Sequence, residues 1–469
     1  MKKHILFPAF CLLITSFIYG QPVYPVMQQE PAIPAPSSTQ LQWHEMEFYL
    51  FVHFGPNTFT DAEWGKGTEQ EEVFNPTALD CNQWCRVAKA AGAKGIIITA
   101  KHHDGFCLWP SKYSTHTVRE SKWKNGKGDV LKELSEACKA NGLKFGVYLS
   151  PWDRNHPAYG TPAYNDVYVN MMQEIVTNYG PLFEMWWDGA NGEGPNGKQQ
   201  VYDFKRFEKT IRSLAPKTLV FSDIGPDIRW CGNENGIAGT TNWNLLDTAG
   251  FTRGAGAPPV DTLNQGNMKA NNWIPAECDV SIRPGWFYHQ QEDSKVKTPQ
   301  QLFDLYLKSV GRGANLLLNV PPDRSGLINA HDSASLVGFY HLREDNFKNN
   351  LLDEKSKNVT LTWVHKNLND PNREHLGVYA VFNTPVKVNC IVIKEDIRKG
   401  QFIKNMNITL SKKGEVIKTI HITTVGRKRI ITFPAVEAGE ITLAVASARY
   451  TPYIKGVEAY LIDEKLVKL

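Results

Sequence analysis

The chain has 469 residues, enough to bury a large core and to make two domains rather than one. Lys and Arg number 52 against 48 Asp and Glu, with no basic run or stripe, so nothing points to nucleic acid as a partner. The aromatic share of 11%, with 13 Trp, suits ligands that are part apolar and part polar, although large cores use aromatics too.

Residues 1–20 read as a secretory signal: Lys2, Lys3 and His4 form a basic end, residues 5–19 are mostly apolar, and Gly20 offers a cleavage position. That stretch is short for a membrane span, and no later segment is long and apolar enough to be one. Residues 21–40 form a Pro-rich lead-in expected to lack structure. The expectation is an exported protein, periplasmic or secreted. Loss of the leader removes Cys11 and leaves cysteines at 81, 85, 107, 138, 231, 278 and 390, an odd set with at least one free thiol. Cys81 and Cys85 lie one helical turn apart, a poor disulfide geometry, and no Cys-x-x-Cys pair suggests zinc.

From about residue 45 to 320, short apolar runs alternate with helical patterns. Strands are expected at 48–54, 95–100, 144–150, 182–188, 218–223 and 314–320, with less distinct ones at 237–243 and 277–283. Helices are expected at 80–91, 129–141, 165–179 and 299–310; the second has Asp129 to cap it and Gly142 to stop it. Such alternation argues for parallel β/α units. Beyond residue 350 the runs at 359–364, 386–393, 404–410, 415–423, 429–434 and 440–446 are β-branched and often alternate, as in an antiparallel sandwich. The fold expected is a (β/α)8-like TIM barrel over 41–348 followed by a β-sandwich over 349–469.

The barrel strands end on polar and aromatic residues. The clearest run, 182–189, is apolar and then gives Trp186, Trp187, Asp188 and Gly189. Aromatic rings beside a carboxylate suit a sugar, with rings on its C–H face and the acid on its polar atoms. Other strands end on His53, on His102-His103-Asp104, on Tyr148 to Asp153, and on Asp223 followed by Arg229-Trp230. In a parallel barrel these ends converge on one mouth, which predicts a polar pocket there.

His102, His103 and Asp104 have the right donors for a metal, but adjacent residues on a strand point to opposite sides, so hydroxyl binding is the favoured reading. Glycoside hydrolysis needs two carboxyls, about 5–5.5 Å apart in the retaining geometry. Asp188 is the nucleophile on this reading. Glu234, in a Gly- and Asn-rich loop, and Glu277, before a later strand, compete for the acid/base role. The acid must start protonated, which calls for an apolar enclosure, here Trp230 and its neighbours.

At these residues the chain resembles the α-L-fucosidases of glycoside hydrolase family 29. The likeness covers about 41–345. It runs through His53-Phe54-Gly55, Glu63-Trp64-Gly65, Lys101 to Phe106, Gly146 to Trp152, Trp186 to Gly189 and Gly313 to Pro322. It implies a retaining mechanism with Asp188 as nucleophile. It implies a fucose pocket of His53, Glu63, Trp64, His102, His103, Tyr148, Trp186 and Trp286, with Arg229 near the catalytic centre. The Arg229–Gly236 stretch resembles the subgroup acting on α-1,3 and α-1,4 links of branched, Lewis-type glycans, whose acid/base corresponds to Glu234. Glu277-Cys278, with Ser281, Ile282 and Trp286 after it, resembles a segment of the broader-specificity subgroup, which keeps Glu277 as runner-up.

The expected partner is therefore a fucosylated oligosaccharide or glycoprotein glycan, with no metal or organic cofactor. Trp230, Trp243, Trp273, Trp286 and Tyr288, in the long stretch 225–300, could build aromatic surface for a neighbouring sugar. Two other readings stand beside this one: a metal-dependent barrel hydrolase with His53, His102, His103 and Asp188 on zinc, and a glycan-binding protein without catalysis.

Overall fold

The computed structural model describes residues 34–365 and 375–467; the expected signal at 1–20 and most of the lead-in lie outside the described residues. Eight parallel strands close into a barrel: β1 Phe48–Val52, β2 Gly95–Lys101, β3 Lys144–Leu149, β4 Glu184–Trp186, β5 Leu219–Ser222, β6 Ile228–Trp230, β7 Ala276–Ser281 and β8 Asn315–Asn319. Each pairs with its neighbours in sequence, and β8 closes on β1 with Tyr49 opposite Leu317 and Phe51 opposite Asn319. All of β2 is buried, because helices cover its outer face and side chains fill the barrel within. Tyr49, Phe51, Tyr148, Trp186, Phe221 and Leu317 make that inner filling.

Helix α1, Ser38–Met46, closes the bottom of the barrel. It begins inside the stretch expected to be unstructured, because Ser37 and Gln40 form a capping box and Trp43 and Met46 join the inner core. Around the barrel run α2 Cys81–Ala90, α3 Val130–Asn141, α4 Ala163–Asn178, α5 Phe204–Leu214, α6 Pro299–Lys308 and α7 Ala330–Asn346. Asp129 caps α3 through the Lys132 amide, and Gly142 ends it at φ 70°. The sixth strand departs from expectation. Residues 237–243 are irregular, and β6 follows β5 with no helix between them. Three residues are too few to leave a periodic signal.

After α7 the chain is antiparallel: β9 Val359–His365, β10 His375–Glu395, β11 Ile403–Lys412, β12 Glu415–Ile422, β13 Arg429–Ala448 and β14 Ile454–Tyr460. The runs at 429–434 and 440–446, expected as two strands, belong to one. Breaks in register at Val381/Val386 and Val388/Cys390 let β10 and β13 turn together, so each serves both layers. Residues 377–381 pair with β9 and the far half of β13, while 390–393 pair with β14 and its near half. Val378, Ile391, Ile408 and Leu443 fill the space between.

The sandwich holds the long connection between β6 and β7. Gln401 accepts from the Asn244 amide (2.8 Å) and donates to the Asn242 carbonyl (2.9 Å), and Thr424 accepts from the Asn242 amide (2.8 Å). The described cysteines, Cys81, Cys85, Cys107, Cys138, Cys231, Cys278 and Cys390, are all buried free thiols. Among the described residues no helix is long and apolar enough to cross a membrane.

Candidate active site

The carboxyl ends of the strands meet in a cavity of about 150 Å³, lined among others by His53, Glu63, Trp64, His102, His103, Tyr148, Trp186, Asp188, Glu234, Asp279 and Trp286. That is small beside the roughly 300–1,000 Å³ of drug-sized sites and suits one sugar ring rather than a chain.

Asp188 stands just past β4. Its Oδ1 accepts from the Ala190 amide (2.8 Å) and its Oδ2 from the Tyr148 hydroxyl (2.9 Å), which fixes the carboxylate in place. Burial and the Asp188 charge raise the Tyr148 pKa well above its usual value, so the hydroxyl remains a donor.

β2 ends at Lys101 after a register shift, and the bend that follows brings the His102 and His103 rings to 4.1 Å, both on the pocket. Ser150 gives its proton to the Trp152 carbonyl (2.8 Å), so it accepts from His103 Nδ1 (2.8 Å). Likewise Asn319 uses its amide on Ser281 and the Trp286 carbonyl, so its oxygen accepts from His53 Nδ1 (2.8 Å). Both rings therefore keep Nε2 as an acceptor for a sugar hydroxyl. Burial lowers the pKa of His53 to about 3, of His103 to about 4 and of His102 well below normal, so all three are neutral. Among the described residues, no three His, Cys, Asp or Glu side chains are grouped to hold a metal.

Trp186 lies between Phe221 (4.0 Å, 11°) and Tyr148 (5.3 Å, 28°). Glu63 is committed to its neighbours: its oxygens accept from the Trp286 amide (2.7 Å), the Phe287 amide (3.1 Å) and His289 Nε2 (2.7 Å). It builds the wall that carries Trp286. Trp64 is 56% exposed at the rim, edge-on to His103 and beneath Arg154.

Glu234 occupies an exposed loop after β6, its Oε2 accepting from Trp286 Nε1 at 3.2 Å. Gly232 (φ 81°) and Gly236 (φ 73°) bound the loop; a Cβ at Gly236 would meet Val280 Cγ1 at 2.7 Å. Glu234 is exposed, so the apolar enclosure expected from Trp230 is not formed around it; that indole donates to Asp279 Oδ1 (2.9 Å).

Two expected residues lie elsewhere. Glu277 is fully buried below Trp186, at the closed end of the barrel, where it does not line the pocket. Arg229 is also fully buried and faces outward: it donates to the carbonyls of Leu263 (2.7 Å), Ile274 and Trp243 (3.0 Å) and to Asn242 Oδ1 (3.0 Å). It anchors the β6–β7 connection rather than the catalytic centre. The loop aromatics also largely pack: Trp243, Trp273 and Tyr288 are 6–7% exposed, which leaves Trp286 and Trp64 at the rim.

Asp279 lines the pocket and was missed. Alternate residues on a strand share a face, so once Glu277 is placed inside the barrel, Asp279 is one step nearer the mouth. Burial, with Glu234 among the nearby charges, raises its pKa well above normal.

Asp188, past β4, and Glu234, past β6, open on the same sugar-sized pocket from different sides of the barrel mouth, which places the protein among the glycoside hydrolases. The family model described as alpha-L-fucosidase matches residues 29–341. The chain belongs to this family, glycoside hydrolase family 29. It is 42% identical over 452 residues to alpha-L-fucosidase 1 of Arabidopsis thaliana, covering 92% of this chain and 88% of that one. It is 27% identical over 305 residues to human plasma alpha-L-fucosidase, covering 61% and 57%. Among solved structures, it is similar to a family 29 member from an unknown rumen bacterium, with a TM-score of 0.83, 41% identity and 92% and 78% coverage. A family 29 fucosidase of Ruminococcus gnavus in complex with fucose gives a TM-score of 0.80, 29% identity and 94% and 98% coverage.

Proposed function

We propose that this chain is an exported, exo-acting, retaining α-L-fucosidase that removes α-1,3- or α-1,4-linked L-fucose from branched, Lewis-type glycans. The observation that carries the reading is a pocket for one sugar with two differently held carboxyls: Asp188 locked on a strand end and Glu234 at the open rim. Asp188 attacks the anomeric carbon while Glu234 protonates the departing oxygen. Glu234 then takes a proton from water, which attacks the same carbon and frees Asp188.

Because Glu234 is exposed in the free enzyme, its desolvation comes with the bound glycan closing over Trp286. His53 and His103 accept sugar hydroxyls at Nε2, and Trp186 lies below the ring. The rim position of Trp64 and Trp286, and the family likeness of the Arg229–Gly236 stretch, support a branched glycan. Contact with its second sugar would raise kcat/KM through binding energy used in the transition state.

Initial rates on Lewis-type trisaccharides, 2′-fucosyllactose and an aryl fucoside test this. The Lewis-type substrates should be fastest among the natural links. Equal or faster release from 2′-fucosyllactose would remove the linkage assignment, and no release from any of them the fucosidase reading.

A further inference from the structure

The closed end of the barrel holds two acids that this mechanism does not use. Glu184, at the start of β4, and Glu277, on β7, are both 0% exposed. Among the described residues, no Lys, Arg or His is bonded to either carboxyl. Trp43 Nε1 donates to Tyr49 Oη (2.8 Å) and Glu184 Oε2 (3.1 Å), the Tyr49 hydroxyl donates to Glu277 Oε2, and Trp186 Nε1 donates to Glu277 Oε1 (2.9 Å). Glu184 Oε1 has no protein partner. Two strong donors on Glu277 favour its carboxylate form, whereas Glu184, with a bare oxygen and a charged neighbour, retains a proton.

We propose that Glu184 and Glu277 act as a pair carrying one proton between them, with Glu277 a positioning residue that holds Trp186 in place beneath the sugar. Phe221 and Tyr148 sandwich the indole and prevent it from tilting, but flat contacts leave it free to turn in its own plane. The bond from Nε1 to Glu277 is what stops that rotation, and so sets which edge of the ring meets the sugar. Packing alone gives no reason for the pair, since two buried carboxyls without a cation cost stability that apolar side chains would not. Burial accordingly raises both acids above the usual carboxylate range.

The inference rests on Trp186 lining the fucose pocket, so L-fucose affinity by titration calorimetry is read beside kinetics on an aryl fucoside. Glu277→Gln keeps an oxygen for Trp186 and donates to the Tyr49 oxygen instead; KM, kcat and fucose Kd should stay within about threefold of wild type. Glu277→Leu removes the acceptor. KM and fucose Kd should rise about tenfold or more, kcat should fall less than about threefold, and the melting temperature should not drop. If that variant does not fold, Glu277→Asp, which withdraws the carboxylate by one methylene, should show the same loss of affinity. Wild-type affinity in Glu277→Leu or Glu277→Asp overturns the proposal, as do equal losses in the Gln and Leu variants. Fucose binding without hydrolysis by the wild type would count against the catalytic reading alone.

Discussion

Trp286 donates its indole N–H to the Glu234 carboxylate at 3.2 Å, and its own backbone is fixed at both ends, by Glu63 on the amide and Asn319 on the carbonyl. The exposed acid thus takes its bearing from the rigid β8 end of the barrel. Trp286→Phe keeps a ring at the rim and loses the bond. It should lower kcat/KM about tenfold, the usual weight of a hydrogen bond to a charged group, and lower it more for poor leaving groups. An unchanged rate on both substrate types would mean that the bond does not orient the acid.

Asp188→Ala should lose three or more powers of ten in turnover, roughly what removal of a covalent route costs, while the fold survives. Azide should restore part of the activity and yield the inverted product. In the wild type, proton NMR should show α-L-fucose first. Early β-L-fucose would mean inversion, and a variant within about tenfold of wild type would end the nucleophile assignment.

Glu234→Ala should damage hydrolysis of natural glycosides far more than of activated aryl fucosides, because only the former need a proton on the leaving oxygen. Glu277→Ala should show no such dependence. The opposite pattern would return the acid/base role to Glu277.

Burial holds His53 at a pKa of about 3 and His103 at about 4, whereas the unfolded chain titrates near 6.5. Between these values the unfolded chain binds more protons than the folded one. The stability linked to these groups is therefore present above about pH 6.5 and lost as pH falls. The denaturant midpoint should be lower at about pH 5 than at about pH 7.5, and the gap should shrink in His53→Asn. The same gap in that variant would show that His53 is not held neutral.

Much of this was legible in the chain because its long elements repeat a period. The buried run of β2 and the capped helix α3 stand out from their flanks. Helix α5 carries Phe204, Phe207 and Ile211 at helical spacing and was readable from the chain, whereas α7 buries Asp332 and Ser335 on its inner face, which blurs its period. Strand β6, at three residues, has no period to show. At the site, Asp188 and the histidines follow from lying at strand ends. Glu277 and Arg229 misled for one reason: residue type says nothing of which end of a strand, or which face, a side chain occupies. Glu277 sits at the beginning of β7 and Arg229 on the outside of β6, while Asp279 points to the mouth.

Gln401 and Thr424 clasp the connection at Asn242 and Asn244, a few residues downstream of Glu234, and Arg429 reaches the Thr240 carbonyl at 2.7 Å. The barrel of this chain is consequently not a detachable catalyst. A chain cut after α7 would still contain Asp188 and Glu234, yet the segment bearing Glu234 would have lost its outer wall. Assembly of the pocket should therefore wait until residues 401–429 have been made and folded, and grafting this barrel onto another partner would require carrying over the Gln401 and Thr424 contacts as well.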